Sequence, residues 1–150
     1  MGRLVGDAAG AARTAHGSLA AHTDMTYLTS AQRSRVFKQL LRSFNAAAPA
    51  GITARWAYLE AAYVLGQQDF ALHWASHTTT LRFALQTREL SEATGQLFRL
   101  ALIPLGHLLR RLPVGNPGRA NVSAFATMPI EAHLSHLIRQ AAAATQTRCF

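Results

Sequence analysis

The stretch WAYLEAAYVLGQQDFALHWASH, residues 56–77, decides the fold. Apolar residues recur through it at spacings of three and four, which is typical of helices with one buried face. The turn Gly66-Gln67-Gln68-Asp69 interrupts this pattern, and Asp69 is a good N-cap for a second helix. The stretch therefore predicts a helical hairpin whose two helices run back along each other.

Four polar residues stand out in this otherwise apolar hairpin, namely Glu60, Tyr63, His73 and His77. Residues three or four positions apart lie on one face of a helix, so each helix presents two of the four together. If the chain doubles back after Gly66, Tyr63 faces His73 and Glu60 faces His77. The sequence therefore predicts a carboxylate, two imidazoles and a phenol between two helices.

Helical patterns continue on both sides of the hairpin. A helix over 31–48 begins after Ser30, and Thr53 caps the first helix of the hairpin. A helix over about 92–112 follows Ser91, with a kink expected near Pro104. Pro129 suits the first turn of a last helix, which buries Ile130, Leu134, Leu137 and Ile138.

The non-periodic stretch 113–125 predicts a long ordered loop, which could bind an anion or cover a pocket, although a structural connection is the simpler interpretation. No segment shows the alternation of a strand. We therefore expect an all-α fold, a small compact helical bundle with one repeat-like hairpin. Residues 1–29 form an arm or loose helix in this interpretation, and residues 30–150 form a single domain.

Composition narrows the class of protein. The net charge is +8, and every basic residue except Lys38 is an arginine, but the arginines are spread along the chain. Nucleic-acid binding is not favoured, because a basic footprint should cluster. The single Cys149 allows no disulfide within the chain. With no signal peptide and no transmembrane segment apparent, we expect a cytoplasmic protein.

Two chemistries fit the four polar residues. In the first, Glu60, His73 and His77 are the ligands of a two-histidine, one-carboxylate metal site for iron or zinc, and Tyr63 is a fourth ligand or an outer donor. In the second, no metal is present, and Glu60, Tyr63 and the imidazoles perform acid-base catalysis on a small apolar molecule, as in an isomerase, lyase or hydrolase. A purely structural pairing of Glu60 with His77 or an arginine is equally compatible with the pattern.

The segment 59–67, with His73 and His77 after it, resembles the central hairpin of an uncharacterised family of small bacterial proteins. The later stretch RLPVGNPGRANVSAF, residues 111–125, resembles the signature loop of the same family, and the match extends over about 34–138. The resemblance implies a metal-ligand pattern, E-x-x-H followed by H-x-x-x-H. This chain departs from it, because Tyr63 stands where the family has His.

The sequence thus predicts a small-molecule enzyme or metal-site protein that uses Glu60, Tyr63, His73 and His77. Two alternatives remain at this stage. One is a non-catalytic helical accessory or interaction module, and the other is a metal-homeostasis protein that holds an ion without turnover. The sequence names neither the substrate nor the partner.

Overall fold

The computed structural model describes residues 28–109 and 114–147. The helices in that part of the chain are α1 (Ser30–Ala46), α2 (Ile52–Gly66), α3 (Phe70–Gln86), α4 (Leu90–Leu108) and α5 (Ala132–Gln146), and a short 3₁₀ turn spans Ala48–Ala50. The described residues contain no strand. The predicted all-α class is confirmed, whereas the predicted arm lies almost wholly outside the described residues.

The helix boundaries follow local capping chemistry. Thr29 rather than Ser30 caps α1, and its side chain accepts a hydrogen bond from the backbone of Gln32. Asp69 caps α3 as predicted, accepting from the backbone N–H of Leu72 at 3.1 Å. Helix α4 runs through Pro104 without ending there.

Besides the Ser30 cap, two further predicted helix starts are wrong. Gly51, not Thr53, occupies the N-cap of α2. Helix α5 begins only at Ala132, so Pro129 lies in the preceding extended segment rather than in the first turn of the helix. Both predictions relied on residue type alone, whereas the observed ends depend on how the neighbouring chain enters the helix.

The helices form a layered bundle. Helices α1, α2 and α5 enclose one core, whose fully buried members include Leu40, Ala61 and Leu134. Helix α3 packs on the other side of α2, around Phe83, and α4 packs along α3 at the edge of the bundle. Within the described residues, no helix is both long and apolar enough to cross a membrane.

The loop after α4 folds back and covers the gap between α2, α3 and α4. Asn116 is fully buried, and its amide nitrogen donates to the carbonyls of Ser123 and Ala126, which closes the loop on itself. Arg99 of α4 donates to the carbonyls of Arg119 and Val122, which ties the loop to the helix. The predicted ordered loop is thus a cover held by buried hydrogen bonds.

Gly95 of α4 marks where the loop approaches the helix most closely. A Cβ placed on Gly95 would overlap the Cβ of Ala120. An alanine normally stabilises a helix interior relative to glycine, but Gly95→Ala should lower the free energy of unfolding by about 1–3 kcal/mol, because the loop must shift. Urea denaturation measures this change.

The matched control is the double variant Gly95→Ala, Ala120→Gly. It removes the opposing Cβ and should recover most of the loss seen in the single variant. A single variant that is more stable than the parent would show that the loop does not rest on α4.

Candidate functional site

Three aromatic rings meet where α2 and α3 face each other. The ring centroids of Tyr63 and His73 are 5.3 Å apart, those of Tyr63 and His77 are 4.9 Å apart, and those of the two histidines are 5.0 Å apart. All three residues are buried, with relative exposures of 2–4%. The hairpin therefore brings Tyr63, His73 and His77 together as predicted, in a nearly equilateral triangle.

A chain of hydrogen bonds runs through the histidines. His107 of α4 lies at one end, with its Nε2 atom 3.1 Å from Nδ1 of His73. Nε2 of His73 lies 3.2 Å from Nε2 of His77, and Nδ1 of His77 contacts the amide oxygen of Gln96. Four side chains from α3 and α4 thus form one continuous polar path inside an apolar bundle.

The hydrogen bonds of Gln96, at the inner end of this path, determine which nitrogen of each histidine carries a proton. The amide nitrogen of Gln96 lies 2.7 Å from a carboxylate oxygen of Glu92 and 2.8 Å from the carbonyl oxygen of Gly118. Both of these partners only accept, so the Gln96 oxygen must face His77, and Nδ1 of His77 must donate. Nε2 of His77 then carries the lone pair.

The tautomers of His73 and His107, which lie nearer the surface, follow from that of His77. Since Nε2 of His77 accepts, Nε2 of His73 must carry the proton between the two rings. Nδ1 of His73 then accepts from Nε2 of His107, which is only half-buried. One buried carboxylate, Glu92, therefore sets the tautomers of three histidines.

Glu92 is itself held by the loop. Both of its carboxylate oxygens lie 3.1 Å from the backbone N–H of Ala120, and Nε of Arg119 lies 3.2 Å from one of them. The Arg119 guanidinium also reaches Glu60 and Glu89, each at 3.5 Å, and its carbon lies 3.7 Å above the Trp56 ring. The loop therefore supplies one cation to three acidic side chains.

Glu60 does not join the two histidines but takes an arginine as its partner, which is one of the structural pairings that the sequence allowed. It pairs with Arg119 rather than with His77, and it lines an open cleft of about 440 Å³ together with Trp56, Asn121 and His133. Glu60 and His77 share only the wall of a narrow gap of about 10 Å³, beside Gly118. The structure thus brings three of the four predicted site residues together and places the fourth in the adjoining cleft.

Burial controls the protonation of these groups. Desolvation lowers the pKa of His73 to about 3, with further lowering by the neighbouring His77 and His107. Desolvation likewise lowers the pKa of His77 to about 4, against an opposing effect of its bond to Gln96. Both imidazoles are therefore neutral at neutral pH.

The pKa values of the two oxygen acids of the site, Tyr63 and Glu60, are raised rather than lowered. Burial raises the pKa of Tyr63, so its hydroxyl stays protonated, which makes it a poor metal ligand. Burial also raises the pKa of Glu60, although Arg119 opposes this shift. A half-buried carboxyl with a raised pKa in an open cleft can exchange a proton with a bound molecule.

Within residues 28–109 and 114–147, no group of three or more His, Cys, Asp or Glu side chains is placed to hold a metal ion. The predicted three-ligand set of Glu60, His73 and His77 is therefore not assembled there. His73 and His77 remain as a pair.

Sequence reasoning missed four residues of this site: Glu92, Gln96, His107 and Arg119. Glu92 and Gln96 are four apart in a helix, and the chain has few acidic residues, so their spacing was a usable signal. Arg119 had no such signal, because only the folded loop carries it to the three carboxylates.

Comparison with known proteins identifies a family. A family model described as "Protein of unknown function (DUF3703)" covers residues 31–138, which is more than half of the chain. No curated protein and no solved structure matches. The resemblance to an uncharacterised family is confirmed at the level of the family.

The lowered pKa values predict acid sensitivity. As pH falls below the ordinary histidine value of 6.5, the unfolded chain takes up protons that His73 and His77 do not bind until about pH 3 and pH 4 in the folded state. The free energy of unfolding of metal-free protein should therefore fall from pH 7 towards pH 4.5, by up to about 1.4 kcal/mol per pH unit for each histidine. Urea titrations in EDTA at several pH values measure this slope.

The control is the double variant His73→Gln, His77→Gln. It should be less stable at pH 7 but should show a flatter dependence on pH than the parent. Parallel curves for the parent and the variant would contradict burial of two neutral imidazoles.

Proposed function

We propose that this chain, which belongs to the DUF3703 family, binds one transition-metal ion between Nε2 of His73 and Nε2 of His77. Zinc is the ion that the spacing suits best. The proposal relies on one observation, the relative placement of the two imidazole rings. The other residues of the site act as supports for this pair.

The hydrogen bond between the two rings is bent rather than straight, and the bend brings them close to the arrangement of two imidazoles on one ion. Their Nε2 atoms are 3.2 Å apart and their centroids are 5.0 Å apart. An N–H aimed along the opposing lone pair at this nitrogen separation would set the centroids about 5.5 Å apart. Two bonds of about 2.0 Å that meet at roughly the tetrahedral angle would instead hold the nitrogens about 3.3 Å and the centroids about 5 Å apart.

The same distance discriminates between metals. A linear bis-imidazole ion would require the two nitrogens to lie about 4 Å apart, which the observed 3.2 Å does not provide. A tetrahedral ion with borderline character, such as Zn(II), fits both the distance and the imidazole donors. A bound ion of this kind would supply a fixed positive charge inside the bundle.

The outer nitrogens of the pair are already supported. Nδ1 of His77 donates to Gln96, which is the arrangement that orients a metal-ligating imidazole and raises its basicity. Nε2 of His73 can become a ligand if its proton moves to Nδ1, which then donates to Nε2 of His107. Because His107 is half-buried, it can exchange its own proton with water.

Because the pair of His73 and His77 is enclosed, the site suits the holding of an ion better than catalytic turnover. His73 and His77 are 4% and 2% exposed, and the loop covers them through Gly118, which lies against the Tyr63 ring. Closed metal sites are typical of structural or storage roles, whereas catalytic sites keep an open position. Metal binding without turnover is therefore the form of the proposal that the geometry supports best.

Acid-base catalysis is the second candidate, and its basis is Glu60. The raised pKa of Glu60 and its place in the open cleft are the features expected of a proton-exchanging carboxyl. Because Glu60 does not contact His73 or His77 directly, the two candidates predict different effects of substitution at Glu60.

Zinc titration by calorimetry tests the metal proposal. The parent protein should bind about one equivalent, and His73→Ala and His77→Ala should each weaken binding at least about tenfold, because one imidazole alone is a poor site. Glu60→Gln is the matched control and should bind within about twofold of the parent. Binding that persists in both histidine variants, or less than roughly one-tenth equivalent in the parent, would overturn the proposal.

Tyr63 occupies the position of a third ligand ring. Its centroid lies 4.9 and 5.3 Å from the two imidazoles, close to the 5.0 Å between the imidazoles themselves. Tyr63→His should therefore complete a three-imidazole site and tighten zinc binding by about tenfold or more. Calorimetry measures the affinity, and the absorption spectrum of the Co(II)-loaded variant reports the added ligand.

The control for this gain is Tyr63→Phe, which removes the hydroxyl but keeps the ring. It should bind zinc as the parent does, because the protonated phenol is not a ligand. A loss of affinity in Tyr63→Phe would instead show that the hydroxyl contributes to binding.

A further inference from the structure

Helix α4 exposes a long apolar face at the edge of the bundle. Its outward residues follow the helical period, and the large ones are 51–79% exposed. They are Leu90, Leu97, Phe98, Leu105, Leu108 and Leu109. An exposed apolar surface of this length on one helix marks an interaction site.

The opposite face of α4 is fully used within the chain. Glu92, Gln96 and Arg99 point inward and hold the histidine path and the loop. Helix α4 packs closely along α3 and makes no comparable contact with the other helices of the described part of the chain. The apolar face is therefore not covered by any described residue.

Charge is kept off this face despite the net charge of +8. The acidic and basic residues within α4 are Glu92, Arg99 and His107. Glu92 and Arg99 are buried on the inner side of the helix, and His107 is half-buried against His73. Two such faces can approach each other without burying like charges.

The spacing along α4 makes the face complementary to itself. In an antiparallel pair centred near residue 99, Leu90 of one helix meets Leu108 of the other. Leu97 meets Ala101, so that a large side chain lies against a small one on each side of the two-fold axis. A two-fold dimer requires this kind of self-complementary surface.

The area is sufficient for a stable interface. The exposed parts of the six large side chains amount to on the order of 700 Å², which lies within the range that each partner buries in specific complexes. A helix pair of 19 residues is also long enough for several knobs-into-holes layers.

We propose that the apolar face of α4 is the interface of a homodimer, in which the α4 helices of two copies pack antiparallel about a two-fold axis near residue 99. The inference is independent of metal binding. The histidine path lies on the inner side of the same helix, so each copy would keep its own site.

Sedimentation of the full chain tests the dimer. The parent should have twice the 16.3 kDa mass of one chain at micromolar concentration. Leu97→Asp should raise the dissociation constant by roughly a hundredfold or more, because it buries a carboxylate in the seam. Ile52→Asp is the matched control, since Ile52 is as exposed as Leu97 but lies on α2, and it should stay dimeric.

Cysteine pairing tests the direction of the helices. In a Cys149→Ser background, an equimolar mixture of Leu90→Cys and Leu108→Cys protein should form a disulfide-linked dimer with diamide as the oxidant. Each variant alone should not, because like positions would lie about 27 Å apart along the antiparallel pair. Linkage of each variant to itself would mean a parallel pair and would overturn the antiparallel arrangement.

A monomeric parent would overturn the proposal. A monomer that floats with phosphatidylglycerol vesicles through this face, and loses that binding in Leu97→Asp, would assign the face to a membrane surface instead. Circular dichroism of Leu97→Asp checks that the variant is folded.

Discussion

The orientation of the Gln96 side-chain amide is the constraint on which the site depends. Two acceptors, the Glu92 carboxylate and the Gly118 carbonyl, bind its nitrogen, so its oxygen can only accept from His77. The tautomers of His77, His73 and His107 follow in order from that one choice. Loop, helix α4 and histidine pair are thus one hydrogen-bonded unit, in which an unpaired member would carry the full cost of a buried polar group.

Local patterns predicted much of the fold and part of the site. The hairpin, its Asp69 cap and the contact of Tyr63 with His73 follow from helical periodicity and one turn, which are short-range properties. The partner of Glu60 does not follow from these local patterns. Glu60 lies on the face of α2 that is turned towards α3, and Arg119 contacts the same face. The partner of Glu60 therefore depends on a loop that lies two helices further along the chain. Long-range pairing of this kind leaves no periodic trace in one sequence.

The folded loop allows a single arginine, Arg119, to pair with three acidic side chains. The half-buried Arg119 lies near three carboxylates and reduces their mutual repulsion, while the backbone N–H of Ala120 donates to Glu92 and the Trp56 indole donates to Glu89. The loop residues use their polar groups in this internal network, whereas the apolar face of α4 and the cleft beside Glu60 are open to other molecules.

The stacking of the Arg119 guanidinium on Trp56, at 3.7 Å, has a practical consequence. The indole lies at the junction of the loop, the cleft and the acidic cluster, and its N–H donates to Glu89 at 2.9 Å. Any movement that lifts the loop from the histidine pair must separate the cation from the ring and change the polarity around it. The emission of Trp56, isolated by replacing Trp74, is therefore an intrinsic spectroscopic reporter of access to the buried imidazoles.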